Sequence, residues 1–181
     1  MDGLGIGWNR RREAVQLGRG ASPPPADAPP FPIAGVSGTA AVYRRVSFER
    51  SSGFAGSFFA WYEDADLSLR LLRAGGRFAC VPSARARHVG SATGRRIPEV
   101  KWRLLFANRF RTLRRNLSAR ARLGALLLRP VPLPSLRAAA RDLGPWRALL
   151  AAASAARLIL AAVPEDRANR RELPLLPRLP E

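Results

Sequence analysis

The sequence predicts an α/β fold: short mixed strands plus helices form one domain, and a C-terminal amphipathic helical appendage follows it. Three observations carry that prediction. An aromatic run, Phe58-Phe59-Ala60-Trp61-Tyr62, leads straight into three carboxylates within four positions, Glu63, Asp64 and Asp66. From Asp64 the pattern turns helical, with Leu67 and Leu71 four apart, Leu69 and Leu72 three apart, and Gly75-Gly76 to end the helix in the left-handed conformation. A longer apolar period of Trp102, Phe106, Phe110, Leu113 and Leu117 follows Pro98, a residue suited to the first helical position.

Taken in order, residues 1–32 are rich in Gly and Pro, with Pro23-Pro24-Pro25 and Pro29-Pro30, and read as irregular. Residues 33–117 form the domain. It opens with small residues that pass through Val42-Tyr43 into Arg44-Arg45, a turn or strand running into a short helix. After the 63–76 helix, Phe78–Val81 reads as a strand, Pro82-Ser83-Ala84 as a turn, and a second short strand ends at His88. The helix from Pro98 places its aromatic residues on one face and Arg103, Arg111, Arg114 and Arg115 on the rest. That face packs on the domain or docks to a membrane surface or partner. Residues 118–181 are the appendage. Leu123–Leu128 ends a short apolar helix broken by Pro130, Pro132 and Pro134, Pro145–Val163 is a second amphipathic segment, and Pro164, Pro174, Pro177 and Pro180 leave the tail irregular.

The acids admit two readings. At a helix N-terminus Glu63, Asp64 and Asp66 cap free N–H groups and complement the helix dipole, each by roughly 0.3–1 kcal/mol. Against an aromatic wall, the same carboxylates are desolvated and raise one another's pKa, which suits a general base for a hydroxyl nucleophile.

Composition narrows the classes. The chain of 181 residues carries 31 basic and 13 acidic side chains, a formal charge of +18, and Lys101 is its only lysine. Residues 101–137 hold ten bases and no acid. A nucleic-acid partner would rest on charge alone, with no recognised fold motif behind it, so no nucleic acid is expected. Cys80 is the only cysteine, which excludes an intrachain disulfide and fits a reducing compartment. Residues 1–30 lack the apolar core of a secretory signal. The longest apolar run, Ala148–Val163, has 16 residues and is broken by Arg157, short of the about 20 that span a bilayer. The expected place is cytoplasmic, or peripheral on the inner face of the membrane.

Read together, Gly35-x-x-Gly38-Thr-Ala-Ala-Val-Tyr43-Arg44-Arg45, Gly53-Phe54, the Phe58–Arg70 core, Ala74-Gly75-Gly76, Val81-Pro82-Ser83-Ala84 and Arg87-His88-Val89-Gly90-Ser91 form one ordered set. In order and spacing it resembles the C-terminal, acceptor-binding half of family 2 glycosyltransferases with a GT-A fold, nearest to bacterial rhamnosyl- and galactofuranosyltransferase-like members. The likeness covers about residues 2–117. It includes Asp2-Gly3-Leu4-Gly5-Ile6-Gly7 with Gly18-Arg19-Gly20, and Asn108-Arg109 match a pair that relatives carry. Ala55-Gly56-Ser57 stand where family members commonly have Asp or Glu.

The resemblance implies a partial GT-A, incomplete Rossmann-like, domain. It implies an inverting transferase that moves a sugar from a nucleotide-diphosphate sugar to a hydroxyl acceptor, in the synthesis of cell-envelope polysaccharide or glycolipid. Asp64 would be the general base, with Glu63 and Asp66 orienting the site. Trp61 and Tyr62 would form a sugar-stacking wall and Gly38 would line the nucleotide-sugar cleft. Arg70 would hold the helix by pairing with the acids or face the diphosphate, and His88 would be a metal ligand or diphosphate contact. A divalent cation, Mg or Mn, is expected, although the family's principal Asp-x-Asp ligands belong to a nucleotide-binding half with no counterpart before residue 33. That half is expected from a misplaced start, a broken gene or a separate chain. The rival reading is an inactive glycosyltransferase remnant whose basic, amphipathic surface binds anionic membrane.

Overall fold

The computed structural model of the chain describes residues 1–9, 13–90, 92–118 and 133–160, with backbone alone for 156–160. The fold is mixed α/β with short antiparallel strands and, among the described residues, six helices. It divides into two compact units. Met1–Ala55 and Glu63–Gly90 belong to the first; Gly56–Tyr62 and the described residues from 92 onward belong to the second. The predicted 33–117 domain is thus shared between them. Leu123–Leu128, Pro130, Pro132, Ser91 and the prolines beyond Val163 lie outside the described residues.

The first unit is built on two ribbons. β1 (Ile6–Trp8) pairs antiparallel with β2 (Ala14–Gln16) in the register Ile6 opposite Gln16, and β3 (Phe31–Ile33) pairs antiparallel with β4 (Phe78–Cys80). An isolated bridge, with the Ile6 N–H donating to the Gly35 carbonyl at 2.8 Å, ties β1 to the segment after β3. Two of these strands fall in the stretch read as irregular. Each spans only three residues, too short for alternation to show, yet Ile6 and Trp8 are buried. Around the β1–β2 turn, Asn9 and Glu13 exchange backbone and side-chain hydrogen bonds of 2.8–3.1 Å. The strand expected to end at His88 does not form, because 85–90 is irregular and mostly exposed. Both observed ladders are antiparallel, and no parallel pairing of the Rossmann kind occurs among the described residues.

Helix α1 (Arg45–Arg50) precedes α2 (Glu63–Arg73), the centre of this unit. α2 buries Ala65, Leu67, Leu69 and Leu71 and also the polar Asp66 and Ser68. Its C-terminus closes as the glycines predict. Gly75 has φ +83°, its N–H donates to the Leu72 carbonyl, and the Gly76 N–H reaches back to Leu71 at 2.9 Å, a Schellman arrangement. Gly35 has a steric reason to be glycine, since an added Cβ would stand 2.8 Å from Ser68 Cβ. That close approach lets Ser68 Oγ accept the Val36 N–H at 3.2 Å.

In the second unit, α3 (Ala92–Arg96) precedes α4 (Pro98–Asn116), which starts at Pro98 as predicted. α5 (Leu133–Leu143) and α6 (Pro145–Leu160) pack with α4 around Trp102, Phe106, Ala107, Ala139, Ala148, Ala151 and Ala155. Pro134 does not break α5; it sits in the first turn, where a missing N–H is harmless. The aromatic face of α4 is core rather than a free surface. Trp102 and Phe106 stack at 5.8 Å, and Trp102 Nε1 donates to Asp142 Oδ2 at 2.8 Å. The same oxygen takes Lys101 Nζ at 3.2 Å, and these contacts hold the Asp142 carboxyl below its ordinary pKa, the Trp102 hydrogen bond first among them. α4 also buries Asn108, Arg109, Thr112 and Asn116, a polar stripe that the apolar period does not reveal.

One contact organises the 56–62 connector. Phe59, Trp61 and Tyr62 all adopt left-handed φ of 60–70°, a conformation that costs an L-residue roughly 1–2 kcal/mol. Asn108 Nδ2 meets the carbonyls of Phe58, Ala60 and Trp61 at 2.8–2.9 Å, while its Oδ1 accepts Arg111 Nη1 at 2.6 Å. The buried amide therefore holds the strained turn in place. Asn108→Ala frees three carbonyls at about 1 kcal/mol each. Urea denaturation should show a loss of about 2–3 kcal/mol, and a loss under 1 kcal/mol would mean that the turn holds itself.

Candidate functional site

The helical start at Glu63 puts three carboxylates in one turn, but the fold sends them in different directions. Asp66 is fully buried and turned inward, where its Oδ2 takes Arg70 Nε at 2.8 Å. Arg70 then spends its remaining nitrogens on backbone: Nη2 donates to the Gly53 carbonyl at 2.6 Å and Nη1 to the Ser51 carbonyl. Arg70 thus pairs with an acid and holds the helix, the first of the two roles read for it, and Asp66 is its structural partner inside the first unit.

Asp64 faces the other way. Its Oδ2 accepts the Gly38 N–H at 2.9 Å and its Oδ1 accepts the Ala65 N–H at 2.7 Å. Two backbone donors thus fix the carboxylate, and each oxygen keeps a lone pair for a further partner. Gly38 is packed against the acids, since a Cβ added there would lie 3.6–3.8 Å from Asp64 Cβ, Asp64 Oδ2 and Glu63 Oε1. Gly38, Glu63 and Asp64, singled out separately in the sequence, are therefore one cluster.

The electrostatics of the cluster follow from burial. Desolvation pushes the Asp64 carboxyl above its ordinary value despite the hydrogen bonds from Gly38 and Ala65, which work the other way. Burial likewise raises Glu63, opposed by its own backbone hydrogen bond and reinforced by the neighbouring Asp64 charge. Tyr43 joins the cluster. Burial first, then the charges of Asp64 and Glu63, push its phenol up to about 12, so it stays a donor throughout the neutral range.

Tyr43 was part of the ordered set in the sequence but carried no role there. No periodicity links it to residues 63–64, so only the fold brings them together. Its ring sits in an aromatic trio with Phe48 at 5.6 Å and Phe54 at 5.9 Å, which fixes where the hydroxyl points. Two polar atoms in the cluster, Tyr43 OH and Glu63 Oε2, are buried and have no hydrogen-bond partner among the described residues.

Trp61 and Tyr62 belong to the second unit; Gly94 is packed tightly on Trp61, because a Cβ there would stand 3.3 Å from the indole Cζ2. His88 Nδ1 pairs with Asp2 Oδ2 at 2.6 Å on the surface, and the hydrogen bond from His88 is the main reason that the Asp2 carboxyl is lowered. That pair offers two donors, and no group of three His, Cys, Asp or Glu side chains assembles among the described residues. The described residues do not fit a divalent-cation site.

The raised carboxyl of Glu63 has a consequence for stability. The folded chain binds its proton at a pH where the unfolded chain has lost it, so stability falls as pH rises from the ordinary carboxylate range through the raised midpoint. Glu63→Gln removes this decline. At neutral pH the variant should be more stable than the parent, with the advantage gone below the ordinary carboxylate range. Urea melts at the two pH values check this, and an equal deficit at both would show that Glu63 is stabilising as an ion. Comparisons of the chain with protein-family models, curated proteins and solved structures return no match.

Proposed function

We propose that the first unit is the acceptor side of an inverting glycosyltransferase of the GT-A type, with Asp64 as general base. The supporting observation is the Gly38–Tyr43–Glu63–Asp64 cluster: a backbone-anchored carboxylate with a raised pKa beside two buried polar atoms that lack partners. Buried polar groups are ordinarily hydrogen-bonded, so the cluster is suited to a ligand rich in hydroxyls. The ordered set of motifs around it supplies the reaction class.

In this reading the acceptor hydroxyl donates to a free lone pair of Asp64. The carboxylate takes that proton as the oxygen attacks the anomeric carbon, and the sugar–phosphate bond breaks on the opposite face with inversion. The nucleoside diphosphate leaves with the bonding pair. Burial favours this, because a base with a raised pKa holds the proton more firmly than a solvated carboxylate does. Tyr43 donates a hydrogen bond to a neighbouring group of the acceptor, Glu63 accepts one from another, and Gly38 leaves room for it. Arg70 and Asp66 act at a distance by holding α2. The nucleotide-binding half comes from outside the described residues, and the leaving diphosphate is handled there.

The test is a transferase assay of the chain completed with such a half. Asp64→Asn should lower turnover by roughly 10²–10⁴-fold, with the secondary structure retained. Parental turnover in that variant would remove the base assignment.

A further inference from the structure

α6 is built inside out. Its small residues Ala148, Ala151 and Ala155 face the core, while Trp146, Leu149 and Leu150 are 79%, 48% and 68% exposed. With Ala153, also exposed, these occupy positions i, i+3, i+4 and i+7, one continuous stripe along the helix. A helix stabilised only by its own domain would place the large apolar side chains inward and the alanines outward. The sequence does the reverse, so the large residues serve something that meets the outer face.

Charge identifies what that is. The chain carries +18 overall, and the second unit exposes Arg137 and Arg141 on α5 and Arg103 on α4. On α6 itself Arg147 follows Trp146 directly, and its side chain stays 64% exposed even while its guanidinium reaches Glu99. The two acids among the described residues of this unit are already occupied, Asp142 by Trp102 and Lys101 and Glu99 by Arg147. The occupant is therefore anionic and presents an apolar layer at shallow depth. Three large side chains are too few for a specific protein interface, which buries about 800 Å² on each partner. They suit a bilayer surface, where Trp sits at headgroup level, leucines enter the acyl boundary and arginines meet anionic headgroups. No described helix is long and apolar enough to cross a membrane, so the contact is on the surface.

We infer that the Trp146–Leu149–Leu150 face of α6 docks the chain on an anionic lipid surface, lying in the interface with the arginines of the second unit on the headgroups. This role is independent of the chemistry proposed for the first unit, and it belongs to the amphipathic Pro145–Val163 segment rather than to the aromatic face of α4, which is core.

The full chain would be sedimented with vesicles of phosphatidylcholine alone and of phosphatidylcholine with phosphatidylserine. The expected result is binding to the anionic vesicles only, weakened by added salt. The double variant Leu149→Gln/Leu150→Gln should reduce that binding on the order of tenfold or more with no loss of thermal stability, because both positions are exposed. Trp146→Ser should abolish the lipid-induced blue shift in tryptophan emission. Failure of the folded parent to bind anionic vesicles would overturn the inference, as would undiminished binding by the double variant. Self-association of the lipid-free parent that the double variant abolishes would also overturn it, since the face would then join two copies of this chain.

Discussion

The first unit depends on one desolvated ion pair. Asp66 is completely buried, and the charge that makes its burial tolerable is Arg70, one helical turn later at 2.8 Å. The same guanidinium grips the carbonyls of Ser51 and Gly53. It thereby fixes α2 against the turn that follows α1, a turn in which Ser52 and Gly53 both adopt left-handed φ. With α2 locked in rotation, Asp66 points inward, and Asp64, two residues earlier, must point to the Gly38 segment. Asp66 is thus a structural acid, while Asp64 is left to accept the Gly38 N–H.

The second unit adds polar burial to an apolar core of Trp102, Phe106 and alanines. Asn108 satisfies three carbonyls of a turn in which three aromatic residues hold left-handed φ. Such strain persists only where surrounding contacts over-determine it. Here one buried amide on α4 does so. The alanine-lined contact of α4 and α6 allows close helix approach, and it leaves the bulky side chains of α6 for the outside.

Much of this was legible in the sequence. The helix at 63–73 with its glycine stop, the start of α4 at Pro98 and the α6 segment all follow from period, capping and Pro/Gly placement. Three things were not legible, each for a physical reason. Strands of three residues are too short to alternate, so β1 and β2 vanish in a Gly- and Pro-rich stretch. Pro134 reads as a breaker unless the helix start is known. Tyr43 and Asn108 act through contacts 20 or more residues distant in sequence, and local patterning carries no information about those. The direction of each acid around α2 also needed the partners Arg70 and Gly38, which lie on opposite sides of the turn.

The central claim is that Asp64 and Glu63 are desolvated carboxyls in one cluster, rather than solvated helix caps. Carbon-13 NMR titration of the carboxyl resonances in the full chain, with Asp64→Asn and Glu63→Gln for assignment, tests it most directly. The account predicts that both resonances titrate above the ordinary carboxylate range and that each variant lacks one of them. Midpoints for both at or below the ordinary range would make them solvated capping groups, and the base assignment would fall with them.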